Sequence, residues 1–333
     1  METYKKTRNI LKFDEPDFGY HNDDINKFLN GSNSNIKALT NVSKKKYSFT
    51  GFIGGPPCPD FSVGGKNRGK DGENGKLTET YINIIIDLKP DFFLFENVKG
   101  LYRTARHRQF YNEMKRKLEE NGYLLTERLT NAMEFGVPQN RDRILLIGFK
   151  KSIMYDINIK TSFALDMKFP WDVNKKYKQS TLKKIKWPVR NKFEENSVLP
   201  SPNNIIKELT VEHWFNRNDV KNHPNSLHYF KPRSGYKKFL VVDEGDDSKK
   251  SYKRLHRWRY SPTVAYGNNE VHLHPYIPRR ITVSEALSLQ SLPKNFTLPE
   301  DLSLTDMFKM IGNGVPYLLS KNIAKTIDTF LNT

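Results

Sequence analysis

Cys58 is the only cysteine in 333 residues, and it stands in Gly54-Gly55-Pro56-Pro57-Cys58-Pro59-Asp60-Phe61-Ser62, directly after the apolar run 47–53. Glycines admit unusual backbone angles and prolines lack an N–H donor, so a strand arriving at Gly-Gly-Pro-Pro continues neither as helix nor as sheet. The thiol is therefore expected on a tight turn at the carboxyl end of a strand, where open α/β sheets bind ligands, with a reactive sulfur presented rather than buried. The competing reading, a small core hydrophobe, is the commoner fate of a lone cysteine, and the flanks speak against it. A second group repeats the placement. Residues 91–95 read as a buried strand ending at Glu96-Asn97-Val98-Lys99-Gly100, which sets a carboxyl group able to act as an acid at another strand end. If the two strands are parallel neighbours joined by a helix over 77–88, Cys58 and Glu96 face one crevice; taken alone, a strand-end Glu is more often a solvated rim residue. In Gln139-Asn140-Arg141-Asp142-Arg143 the two arginines alternate by two, so on an extended backbone they point the same way. Pairing with Asp142 or a helix end is their plainer use.

The elements that must position these groups read as α/β from residue 46 onward. The cysteine turn runs into a polar loop, 63–76, with Gly64, Gly65, Gly69, Gly72 and Gly75 among Lys66, Arg68 and Lys70. Loops so long and glycine-rich are often functional. Pro90 ends the helix over 77–88. A helix over 108–121 stops at Gly122, and strands follow at 123–129 and 144–149. Before residue 41 the pattern is weak, with 9–13 as a short strand and only Gly19 and Gly31 as glycines. Between 151 and 275 the βα rhythm disappears, and the region reads as a smaller inserted domain. Thr282 or Ser284 can then cap a helix, and an amphipathic helix over 317–331 closes the chain.

Fifty-five Lys and Arg against 37 Asp and Glu give a net charge of +18, which favours a polyanionic partner over the alternative of a generally lysine-rich proteome chiefly by its distribution. Residues 174–193 hold eight bases (Lys175, Lys176, Lys178, Lys183, Lys184, Lys186, Arg190, Lys192) and no acid, interleaved with Tyr177, Trp187 and Phe193. That combination suits phosphate contacts beside apolar footing. No run approaches the ~20 apolar residues of a membrane span and the polar start lacks the core of a signal peptide, so a cytoplasmic protein is expected. One cysteine excludes an internal disulfide and a Cys-rich zinc site. His272 and His274 are expected at a solvated strand end, with no metal.

In this order, Pro56-Pro57-Cys58, Glu96-Asn97-Val98, Gln139-x-Arg141-x-Arg143, Arg280-x-Thr282-Val283-x-Glu285-Ala286 and Gly312-Asn313-x-Val315-Pro316 resemble the DNA (cytosine-5)-methyltransferase family, most closely its bacterial restriction-modification type. The resemblance covers residues 35–333. It implies a Rossmann-like α/β large domain that binds S-adenosylmethionine, formed by 1–150 and 276–333, with a target-recognition domain at 151–275. It further implies that Cys58 supplies a thiolate to a flipped-out cytosine, that Glu96 serves N3 and that Arg143 holds O2. By the same resemblance Arg141 helps position the thiolate and Asn97 orients Glu96. Ser62 and Gly64 lie on the substrate side, in a loop that clamps the DNA. Pro57, Leu77, Asn313, Gly314 and Val315 are the cofactor wall.

The chain departs from the family twice. Pro59 stands where the family has Gln, and no Phe-x-Gly-x-Gly cofactor turn precedes Asn41, so the large domain reads as N-terminally incomplete or diverged. Three readings follow: a second polypeptide supplies the missing half, the chain has lost cofactor binding, or a diverged N-terminus does the work. Expected partners are duplex DNA, such a second subunit, and a cognate restriction endonuclease. Against methylation of DNA stand a catalytically incomplete DNA-binding subunit and a tRNA cytosine-5 methyltransferase, the latter disfavoured by the length of the insert.

Overall fold

The computed structural model describes residues 2–22, 24–25, 29, 36–56, 73–232, 235–264, 267 and 270–332. The helices α1 (Glu2–Ile10) and α2 (Ile36–Lys46) lead to β1 (Gly51–Gly54), followed by α3 (Glu73–Leu88), β2 (Phe92–Val98), α4 (Lys99–Arg103), α5 (Ala105–Glu120) and β3 (Tyr123–Asn131). Next come β4 (Gln139–Asn140), β5 (Asp142–Lys150), α6 (Lys151–Asp156), α7 (Ser162–Lys168), α8 (Gln179–Lys184), α9 (Val211–Arg217), α10 (Tyr236–Val241) and β6 (Ser261–Pro262). Three helices finish the chain: α11 (Val283–Leu289), α12 (Leu304–Asn313) and α13 (Tyr317–Leu331). Among the described residues no helix is long and apolar enough to cross a membrane.

Two compact units form. One comprises Pro16–Thr130 and Asp142–Trp171; the other comprises Met1–Glu15, Asn131–Arg141 and Asp172–Thr333.

The first unit is built on a four-stranded sheet of order β1-β2-β5-β3. β1 runs parallel to β2, with Ile53 opposite Leu94, and β5 runs antiparallel to β2, with Arg143 opposite Val98. Side chains alternate along β2, so Phe93, Phe95 and Asn97 are buried while Phe92, Leu94, Glu96 and Val98 are half-buried on the opposite face. Phe93 and Phe95 join Ile82 and Ile85 of α3 and Tyr111, Met114 and Leu118 of α5 in one apolar cluster. Lys89 turns left-handed before Pro90 to end α3, and Gly122, at φ 93°, ends α5 as expected.

In the second unit α11, α12 and α9 pack through Val283, Leu287, Phe308, Ile311 and Phe215. Thr282 caps α11, accepting from the Glu285 amide at 3.2 Å, while Glu285 accepts from the Thr282 amide at 2.8 Å. That reciprocal pair explains the Thr-x-x-Glu of the sequence.

Several expectations need correction. Residues 9–10 end the helix α1 rather than begin a strand; Thr7 is bonded to the Thr297 carbonyl and Lys6 to Asp301, so tertiary docking overrides a local β pattern. The strand after residue 46 is short, because α2 extends to Lys46 and pairing begins at Gly51. α3 starts at Glu73, inside the stretch read as loop, and β2 continues through Glu96 to Val98 because β5 pairs with it that far. His272 and His274 are buried, not solvated.

Candidate active site

Cys58, with Pro57, Ser62, Gly64 and the proposed clamp up to residue 72, lies outside the described residues. What is described is the strand β1 that leads to it and the neighbours of that strand. Gly55 follows β1 directly, and a Cβ placed there would lie 3.1 Å from Oε2 of Glu96. The parallel pairing of β1 with β2, which the sequence reading required, brings Gly55 beside the carboxylate. Gly54 is constrained from the other face, where a Cβ would fall 2.4 Å from the ring of Tyr81. The Tyr81 hydroxyl donates to the carbonyls of Phe52 at 3.2 Å and Leu94 at 3.0 Å, stitching the two strands together near their carboxyl ends.

Arg143 reaches Glu96 from β5 as a diagonal cross-strand neighbour, with Nε 2.7 Å from Oε1. The contact is ionic: among the described residues no donor is aligned on Oε1 for a hydrogen bond, while Nη1 of Arg143 donates to the Asp142 carbonyl at 2.8 Å. Asn97 is fully buried; its Oδ1 accepts from the Val98 amide, and its Nδ2 has no hydrogen-bond partner among the described residues. Buried polar atoms are nearly always paired, so two adjacent residues with unfilled capacity mark a place built for something other than stability. Leu77 is half-buried on α3.

In the second unit Arg141 is buried between β4 and β5, and both its terminal nitrogens donate to the Gly312 carbonyl at 3.2 Å. Arg141 and Arg143 thus have different partners, a backbone carbonyl for the one and a carboxylate for the other. The turn that Arg141 holds exposes Asn313 and Val315 and half-buries Gly314.

The basic stretch divides by environment. Lys175 is ion-paired with Glu134 and Asp172, and Arg190 with Asp246, whereas Lys176, Lys178, Lys183, Lys184, Lys186 and Lys192 are exposed. Tyr177 and Trp187 pack with Leu182 against Met133 and Leu209, supplying the apolar footing. The other arginine-rich stretch is structural. Arg254 is fully buried, donating to the carbonyls of Val242, His274, Ile277 and Phe239, and burial lowers its pKa to about 10. Arg257 is buried against Glu244 at 2.8 Å. Burial also depresses the pKa of His272 and His274 to about 3 and of His256 to about 4, so all three are neutral at pH 7.

Comparison with known proteins supplies the deciding observation. The model of the C-5 cytosine-specific DNA methylase family matches residues 25–329. The chain belongs to that family. The methylase is 51% identical over 332 residues to the type II methyltransferase M.NmeDI of Neisseria meningitidis serogroup C, which covers 99% of this chain and 76% of that relative. It is 30% identical over 307 residues to M.FnuDI of Fusobacterium nucleatum, with 83% and 77% of the two chains covered. Among solved structures, a DNA modification methyltransferase encoded within an E. coli prophage superposes with a TM-score of 0.52 at 22% identity, covering 90% of this chain and 84% of that one. That likeness shows the shared fold. The methylase is thus a DNA (cytosine-5) methyltransferase of the type II restriction-modification kind.

Proposed function

We propose that this methylase transfers a methyl group from S-adenosylmethionine to carbon 5 of a cytosine flipped out of duplex DNA, through a covalent adduct on Cys58. Carbon 5 is a poor nucleophile. Addition of the Cys58 thiolate to carbon 6 moves the ring electrons toward carbon 5, while the carboxyl group of Glu96 gives a proton to N3 so that no negative charge accumulates on the ring. Carbon 5 then attacks the sulfonium methyl, and the breaking S–C bond leaves its electron pair on the donor sulfur. Loss of the carbon 5 proton to a base expels Cys58, and N3 returns its proton to Glu96. Arg143, already against Glu96, fixes the carboxyl group and contacts O2 of the base. A stacked base is out of reach, so extrusion comes first at a cost of a few kcal/mol. In this reading residues 151–275 choose the site, and a cognate restriction endonuclease cuts the same site when it is unmethylated.

The observation that carries the reading is the approach of Gly55, three residues before Cys58, to the Glu96–Arg143 pair. Incubation with duplex DNA and methyl-labelled donor should place label in 5-methylcytosine, and Cys58→Ser should abolish transfer while duplex binding persists. Label at N4, or transfer that survives Cys58→Ser, would overturn the mechanism. A second reading keeps the fold and drops the reaction. It makes the chain a DNA-binding subunit that needs a partner polypeptide to hold the donor. Donor binding by this chain alone would dismiss it.

A further inference from the structure

Two buried side chains of the second unit, Gln290 and Arg141, donate to the backbone between 311 and 314, and Gln290 has no task in the reaction as described. Gln290 follows α11 directly. Its Nε2 donates to the Ile311 carbonyl at 2.5 Å and reaches the Gly314 carbonyl at 3.5 Å. Arg141 takes the intervening carbonyl of Gly312. Gln139 supports Gln290 from behind: its Nε2 donates to Oε1 of Gln290 at 3.4 Å and to the Leu289 carbonyl at 3.1 Å, and its Oε1 accepts from the Val264 amide. The chain leaving the turn is tied to the same residue, since the Tyr317 amide donates to the Gln290 carbonyl at 3.0 Å. The Leu318 amide donates to the hydroxyl of Ser291 at 3.0 Å.

The last carbonyls of a helix have no partner within it and usually turn to water. At the end of α12 buried donors take them, so the backbone is held while Asn313 and Val315 remain exposed at its tip. A side-chain amide meets both demands at position 290, because it donates to carbonyls on one side and accepts from Gln139 on the other. We propose that Gln290 is the positioning residue of this turn. Its amide holds the end of α12 so that Asn313, Gly314 and Val315 meet the methyl donor in one fixed conformation, with Gln139 and Arg141 as its supports. The donor contact rests on the function proposed above; the clamping of the turn does not.

Gln290→Glu keeps the shape and removes the donor, and two measurements on the full chain separate the claims. With S-adenosylmethionine as probe, the variant should show at least a tenfold rise in donor KM, most of the loss falling in KM rather than kcat, with the Kd for duplex DNA within twofold of wild type. Amide hydrogen exchange should accelerate over 310–318 and remain at wild-type rates in the sheet of the other unit. Wild-type donor affinity in Gln290→Glu would overturn the proposal, as would unchanged exchange over 310–318. Failure of the wild-type chain to bind donor, with exchange still accelerated in the variant, would remove the donor from the proposal and leave Gln290 as the clamp of the turn.

Discussion

At the scale of single residues the site depends on a missing atom. Gly55 has no side chain where Glu96 stands, and a methyl group there would meet the carboxylate at 3.1 Å, closer than ordinary van der Waals contact. Glu96 cannot yield easily, since Arg143 holds its other oxygen. Gly55→Ala should therefore displace the carboxyl group by a few tenths of an ångström. Small misplacements of this kind are costly in catalysis, so the single-turnover rate should fall roughly tenfold while melting temperature and duplex affinity hold. An unchanged rate would mean that the Glu96 position is not critical. Residue types carried most of what the sequence could say here: a lone thiol between prolines and a carboxylate at a strand's end are readable because chemistry needs those types. What Arg141 touches was not readable, because its partner is a backbone carbonyl 171 positions away, and carbonyls leave no trace in a sequence.

Among the elements, α11 and its surroundings show how much burial the sequence conceals. His272 and His274 read as residues of a solvated strand end, yet they and His256 are buried and neutral. Around His274 stand Glu285, Arg279, Arg254 and Arg257, and the Glu285 carboxylate, although burial opposes its charge, is held below its usual range by the hydrogen-bonded Arg279 guanidinium. The sign of the pH dependence follows. The folded histidines stay neutral down to about pH 3–4, whereas unfolded histidines protonate near 6.5, so unfolding takes up protons in that window. Stability contributed above pH 6.5 is lost as pH falls toward 4, at about 1.4 kcal/mol per pH unit for each histidine. Calorimetric melting at pH 7.5 and 5.5 should show a lower melting temperature at the acid value, with a shallower slope in His272→Gln; a flat profile would contradict the burial. Regular elements were more legible than this interior. The capping box at Thr282, the stop at Gly122 and the helix to Leu331 follow local rules. The helix α1 did not, since its partners lie near residue 300.

Over the whole molecule, charge and its placement decide how the methylase meets DNA. The net charge of +18 overstates the usable surface, because Arg254, Arg257 and Arg259 are buried in their own unit. The exposed lysines of 174–193 remain, standing on Tyr177 and Trp187. If Lys183, Lys184 and Lys186 neutralise phosphates, changing all three to Gln should weaken duplex binding for every sequence alike and lower the log–log salt slope by about 0.9 per lost contact. An unchanged slope would place the DNA on another face. The central claim is the covalent step, and trapping tests it most directly. Fluorine at carbon 5 cannot leave as a proton does, so duplex DNA carrying 5-fluorocytosine should stall the reaction after methyl transfer. With S-adenosylmethionine present, a denaturation-resistant complex should form, its mass equal to chain plus DNA plus one methyl group and its peptide linkage at Cys58. Tight binding of the fluorinated duplex with no covalent complex, or a linkage to any other residue, would contradict the account.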